Sequence, residues 1–390
     1  MTCWLPHFQQ KMAYVAAHNI LSPLGATSAE TFAAVSAGHS AVAAHTPVFA
    51  GGEPVWASKF PANWQPPAHL ALACYPRFEQ LLIASIAEAT AGLAVDLTSP
   101  RTAFVLATTK GNIGLLDDEP ELTEALHQRL QLYASAEAVA RYFGCTAQPV
   151  VVSTACISGL AALLLAQRQL AAGQYDAVVV AGADTVSRFV LSGFGAFQAL
   201  SAARCRPFSE DRDGINLGEA AATVVLTAAP AALPGGAVRL AGGAITNDAN
   251  HISGPSRTGQ ELAAAIADAL AGAGLSAAQV DFISGHGTAT PFNDAMEAKA
   301  FALAGVADRP VNSIKGALGH TLGAAGLVES VLSVLTLTQG QLLPTAGYSQ
   351  PMQSAALNVL AETTAAELRV GLKTASGFGG CNGALLLVRE

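Results

Sequence analysis

Pro149-Val-Val-Val-Ser-Thr-Ala-Cys156-Ile-Ser-Gly159 is the stretch on which the fold turns. Three consecutive valines fit a strand buried on both faces, and the small residues after them let the chain turn directly into a helix. That helix is expected to begin near Cys156 and end around Gly173. Asp176-Ala-Val-Val-Val-Ala-Gly182 then supplies another buried strand. Strand, helix and strand in succession make a βαβ unit.

The same alternation extends in both directions. Thr102–Ala107 precedes the unit as a further buried strand, and Val224–Leu226, Phe282–Ser284 and Leu385–Val388 follow it, separated by Ala-rich helical stretches. Strands that alternate with helices predict an α/β fold. Pro230 to Gly236, with two prolines and a Gly pair, is the best boundary between halves, and the second half again runs strand, helix (Gln260–Ala273), strand, helix. There is no short repeat period and no low-complexity segment beyond the general Ala richness.

At 390 residues with 51% hydrophobic and 12% charged side chains, the chain can bury a sizeable core, which argues against disorder. Twenty basic against 28 acidic residues leave a net charge of −8, the wrong sign for a general nucleic-acid or anionic-membrane binder; a small basic patch stays compatible. The six cysteines (Cys3, Cys74, Cys145, Cys156, Cys205, Cys381) show no CxxC pair and no structural-zinc spacing, which fits a reduced, cytoplasmic setting. The apolar run Leu160–Ala166 is cut short by Gln167 and Arg168, and His7, Gln9, Gln10 and Lys11 occupy the place of a signal peptide's hydrophobic region. Neither a membrane span nor a secretion signal is therefore expected. The segment before Met12 reads as an arm outside the fold or an alternative start.

Cys156 stands at a strand-to-helix junction, where the helix N-terminus favours an anion and would stabilise a thiolate. A buried apolar cysteine is the competing reading, and by position alone the two stand level. Partners elsewhere in the chain must decide. Ser284-Gly-His286-Gly-Thr288-Ala-Thr290-Pro places an imidazole on a glycine-flanked loop with two hydroxyls nearby, a setting suited to a small-molecule site. Asn312-Ser-Ile-Lys315-Gly-Ala-Leu-Gly-His320 supplies a second histidine at another strand-to-helix turn, with Lys315 before it and Glu329 after it. Two histidines in Gly-rich loops beside a candidate thiolate point to catalysis more than to structure. No metal site is expected, because no two ligands share a helix face. Gly319, Gly323 and Gly326 do not match the dinucleotide spacing and no ribose-binding acid follows them.

These elements, in this order, resemble the β-ketoacyl-ACP synthase family (elongating ketosynthase type) of the thiolase superfamily from about Ala13 to Val388. Ser22-Pro-Leu-Gly25 is similar to the family's N-terminal turn, and Arg206-Pro-Phe-Ser-Glu-Asp-Arg-Asp-Gly214 with Gly218-Glu219 to its mid-chain motif. Asn247-Asp248-Ala-Asn-His251-Ile-Ser253-Gly-Pro255 and Gly377-Phe378-Gly379-Gly380-Cys-Asn382 resemble two active-site loops. The resemblance implies a five-layered αβαβα fold from two similar halves, 13–235 and 236–390, that are not separable domains.

It further implies decarboxylative Claisen condensation of an acyl thioester with malonyl-carrier protein, in fatty-acid or polyene/polyketide synthesis. Cys156 would accept the acyl group, the N–H groups of Cys156 and Phe378 would form an oxyanion hole, and His286 and His320 would act on the malonyl thioester. Lys315 and Glu329 would hold His320 and the network in order, with Asp248 supporting. Thr288 and Thr290 would hydrogen-bond the phosphopantetheine arm, Ser253, Gly379 and Ser376 would belong to the substrate surface, and Phe378 would gate the pocket. The implied partners are an acyl carrier protein and a second subunit, identical or homologous, that completes the acyl pocket; no metal or organic cofactor is required.

Three departures bear on the substrate. Ser376 replaces a common aromatic residue, Ala221 a usual glycine, and the stretch from Gly114 to Cys156 is short and preceded by the unusual Thr108-Thr-Lys-Gly-Asn112. A specialised polyene or polyketide pathway, of the aryl-polyene pigment kind, fits these changes. Cys381 invites a thiolase reading, but it stands where condensing synthases often carry Thr and is assigned to structure. Arg204 and Arg206 suit an acidic carrier protein, while pairing of Arg206 with Asp211 or Asp213 is as reasonable. A non-catalytic chain-length subunit is the rival reading, and the retained Cys156, His286, His320 and Lys315 speak against it.

Overall fold

A computed structural model describes residues 12–46, 54–119, 121–231 and 233–390. Cys3 and the segment before Met12 lie outside these residues, so the expectations for them stand apart from the fold described here.

The main sheet has eleven strands, and it divides into two five-stranded sets with the short Asn358–Val359 strand at one edge. In chain order the first set is Ala13–Leu21, Thr102–Ala107, Val150–Val152, Ala177–Asp184 and Ala220–Thr227. The second is Val238–Asn247, Phe282–Ser284, Pro310–Asn312, Val370–Gly377 and Cys381–Arg389. Across the sheet, each set runs in the same order: third strand, second, fourth, fifth, first. In each, the third, second and fourth strands are parallel neighbours, whereas the fifth pairs antiparallel with the fourth and the first. The sets meet through their first strands, at Ala13 opposite Leu240 and Tyr14 opposite Arg239.

Packing completes five layers. Helices Arg77–Thr90 and Leu132–Tyr142 cover the outer face of the first set through Leu81, Leu82, Ile86 and Val139. Gln260–Ala273 and Pro291–Leu303 cover the second through Leu262, Ile266, Met296 and Phe301. Between the sets lie Ser158–Ala171 and Ala325–Gln339, whose leucines and valines share one apolar cluster with strands of both halves. Every residue from Ala325 to Leu337 is buried, as a central-layer helix requires, with Glu329, Ser330, Ser333 and Thr336 among the apolar side chains. The two central helices approach so closely that only glycine fits: a Cβ on Gly159 would lie 2.7 Å from the Leu327 nitrogen, and one on Gly326 2.4 Å from that of Leu160.

This is the thiolase-like αβαβα arrangement of two similar halves. Several predicted elements fall where expected, with Phe282–Ser284 and Gln260–Ala273 at the predicted bounds. The central βαβ unit differs in one respect: Thr102–Ala107 inserts between Val150–Val152 and Ala177–Asp184, so the strands joined by the helix are not neighbours. Three strands also run longer than their apolar runs, because Ala220–Ala222, Gly182–Ala183 and Cys381–Gly383 have weak strand propensity and are held by ladder pairing. Residues 322–339 are long and apolar enough to cross a bilayer, and 89% of that stretch is buried inside the protein as the central layer.

Candidate active site

Cys156 sits where the Val150–Val152 strand turns into the Ser158–Ala171 helix. Ala155 takes the left-handed conformation (φ +48°), which costs an alanine on the order of 1 kcal/mol or more and is held by Ser158, whose hydroxyl donates to the Ala155 carbonyl at 2.6 Å. The hairpin between the last two strands packs on this turn, and the Phe378 N–H points at the Cys156 sulfur. The side chain is buried, and burial pushes its thiol up to about 11 despite the opposing pull of Lys315 and the Phe378 N–H. Burial of the sulfur thus works against the thiolate that the helix N-terminus would favour.

The two imidazoles meet at the C-terminal ends of the second half's strands. Their ring centroids are 5.2 Å apart at 85°. Glu297 and Asp294, one turn apart on the Pro291–Leu303 helix, shape the His286 loop. Glu297 accepts from the N–H of His286 (2.6 Å) and of Gly287 (2.8 Å), and Asp294 from those of Thr288 (2.9 Å) and Phe208 (2.7 Å). Burial pushes Asp294 up to about 6, against the pull of the Phe208 N–H. His286 and His320 are both held well below the ordinary imidazole range, first by burial and then by the Lys315 charge. Both are neutral at pH 7. Neither ring nitrogen of His320 has a hydrogen-bond partner although the residue is 1% exposed, so its polar edge is available to a ligand.

Behind the pair lies a buried ionic cluster. The Lys315 Nζ is 2.6 Å from Glu329 Oε1, donates to the His286 carbonyl at 2.5 Å and lies 3.3 Å from His286 Nδ1. Lys315 thus steadies His286, where the resemblance implies His320. The second Glu329 oxygen lies 2.8 Å from Lys373 Nζ, on the Val370–Gly377 strand.

A cavity of about 510 Å³ brings most of the sequence-selected residues together: Cys156, Asp248, Ser253, His286, Thr288, Thr290, His320, Ser376 and Phe378 all line it. Lys315 and Glu329 stand behind it. Gly379 is outside the lining, where its N–H donates to the Ile252 carbonyl at 2.7 Å and ties the two loops together. Asp248 likewise shapes its own loop, accepting from the N–H of Asn250 and Ser256. Thr288 and Thr290 hydroxyls are 2.8 Å apart, and Ser376 is 2.8 Å from Asn382 Oδ1. The Phe378 ring stacks on Phe194 (5.5 Å) and meets Phe197 edge-on (5.3 Å). Beyond that aromatic wall a second cavity of about 260 Å³, lined by Thr109, Lys110, Phe189, Val190 and Leu322, also reaches Cys156.

Some residues of the site were not singled out from sequence. Asp294 and Glu297 are spaced i, i+3 on one helix face, and Lys373 is a lysine inside an apolar strand; either pattern signals a buried polar site. Asp184 ends an otherwise apolar strand and accepts from Thr108 Oγ1 (2.8 Å), the Thr109 N–H (3.0 Å) and the Gly323 N–H (2.6 Å), fixing the unusual Thr108–Lys110 turn. Cys381 packs against the central apolar cluster, away from the cavity lining. Arg206 pairs with Asp211 at 3.1 Å and Asp213 at 3.5 Å. Among the described residues no three His, Cys, Asp or Glu side chains converge as a metal site.

Comparison with known proteins agrees with this geometry. The beta-ketoacyl synthase N-terminal domain model matches residues 74–232 and the C-terminal domain model residues 237–349. The chain is 33% identical over 343 residues to a polyketide beta-ketoacyl synthase of Streptomyces halstedii, covering 80% of this chain and 81% of that one. It is 34% identical over 256 residues to 3-oxoacyl-[acyl-carrier-protein] synthase 2 of Vibrio cholerae, a match that spans 62% of that relative's length. Among solved structures, a ketosynthase (ApeO) in complex with its chain length factor (ApeC) from Xenorhabdus doucetiae superposes with a TM-score of 0.86 at 28% identity over the full length of both chains. The ishigamide ketosynthase/chain length factor gives 0.86 at 27% identity, over 98% of this chain. By sequence, fold and architecture, the chain belongs to the β-ketoacyl synthase family.

Proposed function

We propose that the protein catalyses decarboxylative Claisen condensation between an acyl thioester and malonyl-carrier protein, giving a β-ketoacyl-carrier protein. One observation carries the reading: a buried cysteine and a buried, unpartnered imidazole face the same 510 Å³ cavity. In this reading the sulfur of Cys156 attacks the acyl carbonyl and its proton passes to the departing carrier sulfur, with neither histidine required as the base. The N–H groups of Cys156 and Phe378 hold the oxyanion, and the carrier thiol leaves protonated. The malonyl thioester then binds with its carbonyl oxygen against the His286 and His320 N–H groups. The bond to its carboxylate breaks, CO₂ leaves, and the electron pair becomes an enolate whose carbon attacks the acyl-Cys156 carbonyl and expels the sulfur.

Lys315 and Glu329 position His286, Asp248 and Gly379 hold the two loops, and Thr288, Thr290, Ser253 and Ser376 contact the arm or chain. Residues 13–235 and 236–390 act as inseparable halves, since the nucleophile comes from one and the histidines from the other. The acyl chain extends past Phe378 into the 260 Å³ cavity, where Phe189 and Phe197 are 52% and 50% exposed. A second ketosynthase-like subunit, identical or homologous, covers that face; the relatives solved with chain length factors support such a pair. The five described cysteines are free, which fits a reducing, cytoplasmic setting.

Intact mass spectrometry after incubation with a panel of acyl-carrier proteins tests the reading. One acyl mass on Cys156 is expected. Acylation of Cys381 or Cys145 would overturn it, and acylation only in the presence of a second synthase would assign this chain to a heterodimer.

A further inference from the structure

Three buried charged side chains stand behind His286, and one of them, Lys373, has no part in the chemistry just described. It is 0% exposed, in the middle of the Val370–Gly377 strand, opposite Ser284 in the parallel pairing with Phe282–Ser284. Its ammonium donates to the carbonyls of Ser284 (3.0 Å), Gly285 (3.4 Å) and Thr374. Glu329 Oε2 approaches the same ammonium at 2.8 Å as an ion pair. Glu329 is thereby shared between two ammoniums, Lys315 on one oxygen and Lys373 on the other.

The consequence for His286 is specific. Lys373 holds the carbonyls of the two residues before it, Lys315 holds its own carbonyl, and Glu297 holds its N–H and that of Gly287. The peptide planes that aim the imidazole are gripped on their carbonyl side by two cations and on their N–H side by one carboxylate. A buried ion pair contributes little to stability when an apolar residue of like volume would fill the space, because desolvation offsets the attraction. An ammonium held here is better accounted for by what it does to the neighbouring imidazoles.

We propose that Lys373 is a positioning residue for the decarboxylation step, fixing the His286 turn and, through shared Glu329, the Lys315 ammonium against it. The inference rests on the proposed condensing activity. The charged or titratable groups around it are Lys315, Glu329, Glu297, His286 and His320. Burial and Lys315 work against its charge, the two carboxylates favour it, and both imidazoles lose basicity to it. Removing that charge makes the imidazoles easier to protonate, so an activity that needs them neutral fails at a higher pH.

The test compares wild type, Lys373→Met and Lys373→Gln in CO₂ release from malonyl-carrier protein across pH 5 to 9, with acylation of Cys156 followed separately. The account predicts normal acylation and a loss in kcat of roughly tenfold to a hundredfold, smaller than the loss of a direct oxyanion donor. It also predicts an acidic limb displaced upward by about one pH unit, with KM little changed. Wild-type rate and profile in both variants would overturn the inference. So would a lower rate with an unmoved acidic limb, or failure of both variants to fold, since either marks a structural role. If wild type itself releases no CO₂, the condensing reading fails instead, which keeps the two apart.

Discussion

The two halves of this molecule share one strand order and carry opposite chemistry on equivalent ends. After the third strand of the first half comes Cys156, on an apolar turn; after the third strand of the second come Lys315 and His320. After the second strand the first half has the Thr108–Lys110 turn, and the second has His286. The first half brings the Cys156 thiol to the cavity and burial pushes it up to about 11, whereas the second buries Lys315, Lys373, Glu297 and Glu329 around a neutral histidine pair. A repeated frame delivers two loops to one cavity from opposite sides. The covalent step and the charge-stabilising step can thereby be tuned on separate parts of the chain.

The contrast breaks most sharply at the nucleophile. Cys156→Ala should reduce condensation on the order of 10⁴-fold or more, as loss of a covalent nucleophile does, while the thermal melt stays near wild type; residual turnover above a tenth of wild type would contradict it. The high thiol value sharpens the contrast further. Alkylation of unliganded Cys156 by iodoacetamide, followed by peptide mass spectrometry, should rise roughly tenfold per pH unit from pH 7 through 9 without levelling, because the thiolate fraction keeps growing below its pKa. A plateau below pH 8 would mean that the helix terminus and Lys315 do prevail over burial.

On the histidine side the prediction concerns stability. His286 and His320 are depressed in the folded state, and burial takes His18 down to about 4. The unfolded chain therefore binds more protons below its ordinary imidazole pKa. Stability should be full above that value and fall as pH drops below about 6.5, by up to about 1.4 kcal/mol per pH unit for each histidine. Urea midpoints at pH 7 and 5 would show this, and His286→Gln should flatten the slope; an identical slope would show that His286 is not buried neutral.

The smallest effect is expected at Ser376, which lines the cavity and bonds to Asn382. Ser376→Phe should lower condensation of a polyunsaturated acyl chain by about threefold to tenfold, through lost space and a lost hydrogen bond. It should do so more than for a saturated chain of equal length. Equal rates for both chains in both proteins would remove the case for a specialised substrate.

What sequence made legible follows from what each signal needs. The valine runs at Val150 and Val178 announced strands because β-branched residues pack on a pleated surface, and the Gly-flanked histidines announced a site because glycine lets backbone approach a ligand. Ala13–Leu21 is not legible as a strand, since Ala-Tyr-Val-Ala-Ala-His-Asn-Ile-Leu has no clean alternation and is held extended by pairing with Ala220–Thr227 and, at its start, Val238–Asn247. The protonation of Cys156 was equally out of reach, because it depends on how many apolar atoms surround the sulfur. Lys315 was assigned to the nearer histidine in sequence; the fold carries it to the farther one, 29 positions away.

The central claim is that acyl loading belongs to Cys156 in one half and decarboxylation to the histidines of the other. His320→Ala, incubated with acyl- and malonyl-carrier protein, should carry the acyl mass on Cys156 at wild-type stoichiometry while releasing on the order of 10²-fold less CO₂, as loss of a charge-stabilising donor predicts. Acylation and CO₂ release lost together, or CO₂ released at the wild-type rate, would contradict the division of labour between the halves.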